Sequence, residues 1–529
     1  MIFRFSFRHF RHVTLIAAAI AGVTATISAQ SALDPKQMKA LGEVDPRFVS
    51  YNVEAVEVTG GRFWAPFKSL SKDAAPLAPG EFGGIRDTNE PRFKYRPPID
   101  LSNLKLRKLA AALGPAYVRV SGSWRNSTYF QDDDQPAMKT PPSGFQGVMT
   151  RAQWKGVVDF TKAVDGEIVA SVATSPGTRN AEGIWTTDQA KRWFDYTRSI
   201  GGRIAVTEYM NEPTLLGIGG AAGHYGAKEY ARDSKIFAEF LKKESPGTIY
   251  IGPSGAAEGV PQTPDLPGLK LTPTSVLMTE IGPLFDGFSY HVYYTRSHRC
   301  ARDEGTEIKE LLTQDWLDRG KVANAYFSEL RDKFLPGKPM WLTETGEASC
   351  GGDTWAAEFV DSFRLLDQLG TLAQSGVKSI MYNTLASSDY GMIDEETYEP
   401  RPNYWASLLW KRTMGTRSLD PGLPQTSEMR TYAQCMKDSP GGVSVLLLNL
   451  SKTNAQTIQL PIDGSRYTLT SPDLLSKTVL LNGQELKVGQ DGTVPHLQGK
   501  KFQKGKVIVQ PLSINVMTLP SAHNPSCAK

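Results

Sequence analysis

Eight short apolar runs recur through the first 415 residues, and stretches with helical spacing separate them. The runs have the β-branched and aromatic content of buried strands and cover residues 48–54, 116–121, 167–174, 204–212, 248–252, 287–294, 339–344 and 378–383. Helical spacing of apolar residues is found at 101–113, 150–164, 187–200, 225–243, 314–333, 354–375 and 402–414. Strands that alternate with helices build parallel sheets, so the pattern predicts the α/β class and a (β/α)8 barrel over residues 48–415.

The pattern changes after residue 415. Short β-type runs, split by turn residues and without helical periodicity, occupy 442–450, 457–461, 467–470, 478–483 and 506–511. This spacing is typical of two packed antiparallel sheets. We therefore predict a C-terminal β-sandwich domain over residues 416–529.

The N-terminus carries a targeting pattern. Arg4, Arg8 and Arg11 precede an apolar run at 13–23 and small residues near position 29, as in a cleaved secretory signal. We predict a signal peptide over residues 1–29 and a secreted or periplasmic protein. A membrane anchor is the alternative, which the shortness of the apolar run disfavours. No membrane is expected as a partner once the signal is removed.

The charge balance limits the partners further. The chain has 59 basic and 55 acidic side chains, and loss of the three N-terminal arginines leaves 56 against 55. Proteins that bind nucleic acid usually present a strong basic field, which this balance does not supply. No nucleic-acid partner is expected, and the oligomeric state stays open.

The common cofactor and metal motifs are absent from the sequence. The seven histidines lack paired metal-ligand spacing, and no two cysteines form a C-x-x-C pair. There is no Walker motif, no dinucleotide glycine motif and no Gly-x-Ser-x-Gly. We expect neither metal nor cofactor, and the last absence argues against a serine hydrolase.

The four cysteines fall into two pairs along the chain. Cys300 and Cys350 belong to the predicted barrel, and Cys435 and Cys527 to the tail. An even number in an exported chain permits disulfides. Pairing within each half and free buried thiols both stay open.

Two glutamates stand at the ends of predicted strands. Glu212 ends the fourth run in an Asn-Glu-Pro sequence, and Glu344 ends the seventh. In a closed barrel the carboxyl ends of these strands face each other across the mouth, and a retaining glycosidase needs two carboxylates about 5 Å apart. Both are candidate catalytic residues, with two surface carboxylates as the alternative. Glu208 inside its strand and Glu347 beyond its strand are the nearest competitors.

The sixth predicted strand adds His291 and Tyr293, which alternation places on one face. A phenol beside a carboxylate hydrogen-bonds and so stabilises its ionised form. Both residues are candidates to contact the substrate or the catalytic pair. Packing of both aromatic rings inside the barrel is the alternative.

Longer segments resemble a known family. They are Leu-Gly-Pro-Ala-Tyr-Val-Arg-Val-Ser-Gly at 113–122, Trp-Leu-Thr-Glu-Thr at 341–345 with Gly-Gly at 351–352, Asp-Tyr-Gly-Met-Ile-Asp-Glu-Glu at 389–396, Pro-Asn-Tyr-Trp-Ala-Ser-Leu-Leu at 402–409, and Leu-Leu-Ser-Lys-Thr-Val-Leu-Leu-Asn-Gly at 474–483. With gaps, the likeness to heparanase runs from about residue 48 to residue 527. The chain therefore resembles a bacterial-type member of glycoside hydrolase family 79, which holds β-glucuronidases and heparanases.

The resemblance implies roles for four residues. Glu212 would be the acid/base and Glu344 the nucleophile of a retaining mechanism. Asn211 would hold the 2-hydroxyl of the sugar, and Tyr293 would orient Glu344.

The resemblance also implies a site for the glucuronate carboxylate. Tyr390 and the backbone amides of Gly351 and Gly352 would hold it, because phenol and amide donors bind an anion without a formal charge. Glu54 and Ser123 fall where the family has hydroxyl-binding groups. Since heparanase has Asp and Thr there, the contacts of these two residues stay open.

The covalent structure is also suggested by the resemblance. A Cys300–Cys350 bond could clamp the carboxylate-binding loop, and a matching tail bridge in the family supports Cys435–Cys527. Residues 30–47 would join the sandwich, as the segment before the first barrel strand does in the family. Residues 132–147 are few where mammalian heparanase has an excised linker, so we expect one unprocessed chain.

From these observations we expect a retaining glycoside hydrolase that cleaves β-linked glucuronic acid from glycans or glycoconjugates. One alternative is an endo-acting, heparanase-like hydrolase of glycosaminoglycans, which the nearly neutral mature charge does not favour. Another is a non-catalytic carbohydrate-binding protein on a barrel scaffold, against which the two glutamates argue.

Overall fold

The computed structural model of the chain describes residues 31–70, 90–216, 221, 224–260, 271–300 and 306–528. The expected signal peptide, residues 1–29, lies outside these ranges and stays a prediction.

Eight parallel strands close into a barrel, which confirms the predicted fold class. They are β1 (Val49–Asn52), β2 (Ala116–Val120), β3 (Gly166–Ser171), β4 (Ile204–Glu208), β5 (Ile249–Gly255), β6 (Gly287–Arg296), β7 (Met340–Ser349) and β8 (Ser379–Tyr382). Near the amino ends of β2 and β7, the rings of Tyr117 and Trp341 meet edge to face inside the barrel at 5.3 Å. This apolar packing excludes water from the barrel interior below the polar residues, which lie nearer the carboxyl ends of the strands.

The described residues contain nine α-helices. They are α1 (Ala55–Thr59), α2 (Leu104–Ala112), α3 (Arg151–Ala163), α4 (Asp188–Ser199), α5 (Ala227–Glu244), α6 (Thr274–Ile281), α7 (Gln314–Phe334), α8 (Phe359–Gln374) and α9 (Pro402–Thr413). A capping box opens α3, since Thr150 Oγ1 accepts from the Gln153 amide and the Gln153 side chain accepts from the Thr150 amide. Helices α1 and α6 are too short to have shown a clear helical period in the sequence.

The tail forms two further sheets. The larger sheet has the order Ala40–Glu43, Met414–Leu419, Met429–Met436, Val443–Asn449, Ser513–Leu519, Gly464–Thr470, Leu480–Leu481, Gln484–Glu485, with Lys500–Phe502 beside Gly464–Thr470. The smaller sheet has the order Ser31–Ala32, Gln456–Leu460, Gly505–Val509. Strands from before β1 thus pair in both sheets.

Several strand ends differ from the sequence prediction, and two of the differences concern the candidate glutamates. Strand β4 ends at Glu208, so Glu212 lies in the following loop and not at the strand end. Strand β7 continues to Ser349, past the predicted end at residue 344, because its last residues pair with an equally extended β6. The expectation that Glu347 lies beyond the strand is therefore wrong, since this residue is inside β7 and buried.

A bulge in β7 directs two consecutive side chains into the barrel. Residue 290 of β6 pairs with residue 342 of β7 and residue 291 with residue 344, so Thr343 is an extra residue in β7. Side chains along a regular strand alternate between its two faces, but one inserted residue changes that alternation. The Thr343 hydroxyl and the Glu344 carboxylate both form hydrogen bonds inside the barrel.

Within the ranges given above, no helix combines the length and the apolar character needed to cross a membrane.

Candidate active site

A pocket of about 160 Å³ opens at the carboxyl ends of the barrel strands. It brings together most of the residues proposed from the sequence: Glu54, Ser123, Asn211, Glu212, His291, Tyr293, Glu344 and Tyr390. Gly351 and Gly352 do not line it, whereas the preceding Ser349 and Cys350 do.

Glu212 and Glu344 form a close pair in this pocket. A carboxylate oxygen of one lies within 4.8 Å of a carboxylate oxygen of the other. Retaining glycosidases hold their carboxyl groups about 5 Å apart, and inverting enzymes hold them at roughly 6.5–9.5 Å to leave room for a water. The spacing here suits direct attack by one carboxylate on a sugar that the other protonates.

Glu212 is held in a strained and poorly solvated position. Its backbone is left-handed (φ 48°), which is costly for a residue with a Cβ. Its side chain is 14% exposed. Burial, partly offset by Arg119, raises the pKa of Glu212 to about 7. Much of this group is therefore protonated near neutral pH, as a proton donor must be.

Glu344 is surrounded by hydrogen-bond donors. The Tyr293 hydroxyl donates to Oε1 at 2.7 Å, and Arg119 Nη1 donates to Oε2 at 2.9 Å. The side-chain amide of Asn383 lies 3.5 Å from Oε1 and 2.8 Å from the Tyr293 oxygen. Donors on both oxygens favour the ionised carboxylate, which is the form that attacks a sugar.

His291 lies between the two glutamates as a neutral donor. Arg119 Nη2 approaches His291 Nε2 at 3.2 Å, and since a guanidinium only donates, Nε2 must be the acceptor. The ring proton is then on Nδ1, which donates to Glu212 Oε1 at 3.0 Å. Burial lowers the pKa of His291 to about 4, so the imidazole is uncharged at neutral pH.

Arg119 is the functional residue that the sequence reasoning missed. It is fully buried, and its guanidinium bridges Glu208 (2.9 and 3.1 Å), Glu344 (2.9 Å) and the side-chain oxygen of Asn211 (2.7 Å). The signal was present in the sequence, because an arginine between two valines of a buried strand must be paired to be tolerated.

Glu208 is the partner that keeps Arg119 in place. Burial alone would raise the pKa of Glu208, but Arg119 and its other neighbours hold the pKa below its usual value. Its Oε1 accepts from Ser254 at 2.6 Å and from Thr343 at 2.9 Å. Glu208 is thus a supporting anion beneath the catalytic pair.

Asn211 is fixed so that its amide faces the pocket. Its backbone is bound on both sides by the Asn126 side chain, each bond being 3.0 Å long. Because its Oδ1 accepts from Arg119, its Nδ2 is the group left to donate, and this atom lies 3.4 Å from the Ser123 hydroxyl. An amide in this position can hold a sugar hydroxyl.

Glu54 is a buried carboxyl that lines the pocket. It is 3% exposed, and no hydrogen-bond partner for its Oε2 lies among the described residues. Burial raises the pKa of Glu54 well above its usual value, and Glu344 adds to the rise. Gly122 makes room for it, since a Cβ on that glycine would lie 1.6 Å from Oε2.

The loop after β7 is tightly held. Gly351 and Gly352 have φ values of 87° and 84°, and a Cβ on Gly352 would lie 2.7 Å from the Tyr390 amide. The buried Arg299 donates to the carbonyls of Cys350 and Gly352. Hydrogen bonds of the two glycine amides to a bound carboxylate stay a prediction.

The four cysteines are bonded within each half of the chain, as Cys300–Cys350 and Cys435–Cys527. The first bond ties the end of β6 to the loop after β7, where Cys350 lines the pocket. The second ties a sandwich strand to the C-terminal segment.

Within the described residues, Glu212, His291 and Glu344 are the one group of three possible metal ligands that lie close together. The guanidinium of Arg119 lies against two of them, at 2.9 Å from Glu344 and 3.2 Å from His291. A fixed positive charge at that distance opposes a cation. The group therefore suits proton transfer better than metal binding.

Comparisons with known proteins show which family and fold this chain resembles. Residues 98–370 match a family model described as "Glycosyl hydrolase family 79, N-terminal domain". Baicalin-beta-D-glucuronidase from Scutellaria baicalensis is 31% identical over 476 residues, which cover 80% of this chain and 84% of that protein. Hyaluronoglucuronidase from Hirudo nipponia is 26% identical over 477 residues, covering 82% and 92%. The solved structure of a GH51 arabinofuranosidase from Xanthomonas axonopodis pv. citri has the same fold, with a TM-score of 0.61, 16% identity and coverage of 93% and 99%.

Proposed function

The chain belongs to glycoside hydrolase family 79 and is a glycosidase, and from this premise we propose that it is a retaining hydrolase that releases β-linked glucuronic acid. The single observation that carries the mechanism is the Glu212–Glu344 pair, with oxygens within 4.8 Å and opposite surroundings. The names of the glucuronidase relatives support the choice of sugar.

The proposed first step uses both glutamates at once. Glu344, held by Arg119 and Tyr293, attacks the anomeric carbon and forms a glycosyl ester. Glu212 gives its proton to the glycosidic oxygen, and the alcohol leaves. His291 keeps its Nδ1 proton throughout, because it is a neutral donor to Glu212 Oε1.

In the second step Glu212 acts as a base. Once Glu344 is esterified, the site has lost one negative charge, so the pKa of Glu212 falls and its carboxylate can take a proton from water. The water attacks the anomeric carbon from the face that the alcohol left, the bond between that carbon and Glu344 breaks, and Glu344 leaves as a carboxylate. The released sugar keeps the β configuration.

The glucuronate carboxylate is proposed to lie between Tyr390 and the loop after β7. Burial raises the pKa of Tyr390 well above its usual value, so its hydroxyl is a neutral donor. Asn383 Nδ2 lies 3.3 Å from that hydroxyl. The guanidinium of Arg299, buried behind Gly352, holds the loop from behind and is itself paired with Asp389. A phenol and backbone amides can bind an anion without a free positive charge.

Nucleophile and acid/base can be told apart by chemical rescue with azide. Glu344→Ala should lose turnover of an aryl β-glucuronide by about 10⁴-fold or more, and azide should restore reaction to give the α-glucuronosyl azide. Glu212→Ala should give the β-azide, because azide then attacks the ester on Glu344. Parent-level activity in Glu344→Ala, or exchanged azide configurations, would overturn the assignment.

An endo-acting enzyme on sulfated chains is the competing outcome. The described pocket lining has four glutamates (Glu54, Glu212, Glu258, Glu344) and two arginines (Arg92, Arg296). Burial raises the pKa of Glu54, Glu212 and Glu258, so these carboxyls repel a sulfate less than free carboxylates would. Since both arginines already have partners in the protein, the lining still offers a sulfate little compensation. Release of aryl glucuronide without fragmentation of heparan sulfate would support the exo-acting assignment, and the reverse result would replace it.

We also propose that the protein is exported. Two disulfides are common in oxidising compartments and rare in the cytosol, and residues 1–29 have the pattern of a cleaved signal. The mature protein should begin near residue 30 when its N-terminus is sequenced. A chain found uncleaved in the cytosol would contradict this.

A further inference from the structure

The position of Glu212 fixes where the leaving alcohol must lie, and this inference rests on the proposed function. A proton donor has to be within hydrogen-bond reach of the oxygen that it protonates. The alcohol attached to that oxygen therefore lies beside the loop that carries Glu212. The sugar ring lies toward Glu344 and Tyr390, on the other side of the scissile bond.

Five residues of two loops line the pocket on the Glu212 side, and we call them the leaving-group wall: Leu215, Ala256, Ala257, Glu258 and Val260. Leu215 is three residues from Glu212, and its amide donates to the Glu212 carbonyl at 2.9 Å. The other four residues follow β5, the strand next to β4. The wall is thus the surface that the alcohol meets first.

The two loops are joined into one rigid surface. The Thr214 hydroxyl bonds both the amide and the carbonyl of Ala256, each at 3.0 Å. The Glu258 carboxyl accepts from the amide and hydroxyl of Thr274 and from the Tyr326 hydroxyl. A surface held in this way does not have to be ordered when a ligand arrives.

The chemistry of the wall contrasts with that of the sugar side. The wall has four apolar side chains and one carboxyl, whereas the sugar side combines the polar groups of Asn211, Tyr293 and Tyr390 with the rings of Trp64 and Trp124. Hydroxyl groups placed against apolar side chains lose their water without gaining partners. An apolar ring in the same place is favoured, because its burial releases water.

The charge of the wall also favours an uncharged alcohol over an anionic one. Glu258 is the charged residue of the wall, and a carboxylate there disfavours a sulfate or carboxylate on the alcohol. Arg92 and Arg296 also line the pocket, and each already has a partner in the protein. The described lining therefore offers an anionic alcohol little compensation.

We propose that the natural leaving group is an uncharged apolar alcohol, a phenol or an alicyclic hydroxyl compound, and not a further sugar of a sulfated chain. The enzyme would then remove glucuronic acid from small apolar conjugates. The wall selects the alcohol, and the polar side of the pocket selects the sugar.

The test compares β-glucuronides whose leaving groups are primary alcohols of similar acidity. They are methyl, cyclohexylmethyl and 4-carboxycyclohexylmethyl glucuronide, with a glucuronosyl disaccharide linked through a primary hydroxyl of glucosamine 3-sulfate. The cyclohexylmethyl compound should have a kcat/KM at least about 10-fold above that of each of the other three compounds: the methyl glucuronide, the carboxylated glucuronide and the sulfated disaccharide. A preference for the sulfated disaccharide would overturn the inference and leave the glucuronidase assignment intact. If the enzyme cleaves none of these four compounds and does not cleave phenyl glucuronide either, the proposed function itself is overturned.

Variants of the wall locate the effect. Leu215→Asn should lower kcat/KM for the cyclohexylmethyl compound by about 10-fold more than for the methyl compound, because a methyl group covers much less of the wall than a cyclohexyl ring does. The isosteric Val260→Thr serves if Leu215→Asn does not fold. Equal losses on both substrates would contradict contact between the wall and the alcohol.

Glu258→Gln tests the charge. In mildly alkaline buffer it should raise kcat/KM for the carboxylated compound several-fold relative to the neutral cyclohexylmethyl compound. Since burial raises the pKa of Glu258, the difference between variant and parent should shrink as the pH is lowered. An unchanged ratio at all pH values would show that Glu258 does not face the alcohol.

Discussion

Glu344 and Glu212 lie within 4.8 Å of each other and have opposite surroundings. Arg119 and Tyr293 donate to the two oxygens of Glu344, at 2.9 and 2.7 Å. Glu212 has one short contact with a neutral donor, His291, and little water. Burial keeps much of Glu212 protonated near neutral pH. Hydrogen-bond donors and burial, and not the residue type, therefore distinguish the two glutamates.

The same contrast holds one layer further out. Behind Glu344, the guanidinium of Arg119 is itself held by Glu208, whose other oxygen accepts from Ser254 and Thr343. Glu212 lies in a left-handed turn that leads directly into the short 3-10 turn Pro213–Leu215. Glu344 is thus supported by a closed network of charges, and Glu212 by the backbone of a loop.

The difference between the two glutamates is tested most strongly by a substitution that removes the proton of Glu212. Glu212→Gln keeps the shape but cannot give a proton, so an alkyl β-glucuronide should lose about 10²–10⁴-fold in kcat/KM. A 2,4-dinitrophenyl glucuronide, whose phenolate leaves without help, should lose far less in the first step. The measurement is the slope of log kcat/KM against the leaving-group pKa, which should be steeper in the variant. Parallel slopes would contradict the role of Glu212.

A second test replaces the Arg119 guanidinium, which donates to Glu344. Arg119→Lys keeps one positive charge but cannot reach Glu208, Glu344 and Asn211 together. We expect kcat to fall by about 10²-fold with a smaller change in KM. Arg125→Lys is the matched control, because Arg125 is equally buried but donates to the backbone carbonyls of Ser171 and Thr128. Equal kcat losses in both variants would reduce Arg119 to a structural residue.

A milder change removes one donor from Glu344. Tyr293→Phe deletes the 2.7 Å hydrogen bond to Oε1 and leaves the bond from Arg119 in place. A loss of kcat of about 10–100-fold is expected, within the range for one positioned donor. Tyr294→Phe is the control, since the hydroxyl of that buried neighbour has no hydrogen-bond partner among the described residues. An unchanged rate in Tyr293→Phe would show that Arg119 alone is sufficient.

The sequence was enough to predict the barrel, because each strand and helix carries its own hydrophobic period. It could not show how far β7 extends, since residues 345–349 become strand only through pairing with β6. Helix α6 was missed because its eight residues are too few for a visible period. The first difference comes from a long-range contact that the local sequence does not show, and the second comes from the shortness of the helix.

The catalytic pair was predicted for a partly different reason from the one that the structure gives. Strand ends pointed to Glu212 and Glu344, yet Glu212 lies in a loop and Glu344 lies inside β7. The bulge at Thr343, which directs Glu344 into the barrel, depends on the register of two strands and leaves no local signature. Arg119 did leave one, as a charged residue in an apolar strand, and its three partners could be identified only in the folded chain.

The smallest expected effect concerns stability and tests the burial of Glu212 without substrate. Its pKa is about 7 in the folded chain and about 4.5 when unfolded. The folded state therefore binds the proton more tightly, so this contribution to stability is fully present below about pH 4.5 and is lost as the pH rises through 7. Glu212→Gln carries no charge, so above pH 7 it should be more stable than the parent by up to about 3 kcal/mol. Below pH 4.5 the two should unfold alike.

Denaturant unfolding of both proteins across this range, with the exposed Glu329→Gln as control, gives the difference. A difference independent of pH would mean that Glu212 is solvated, and the contrast with Glu344 would then have to come from hydrogen bonding alone.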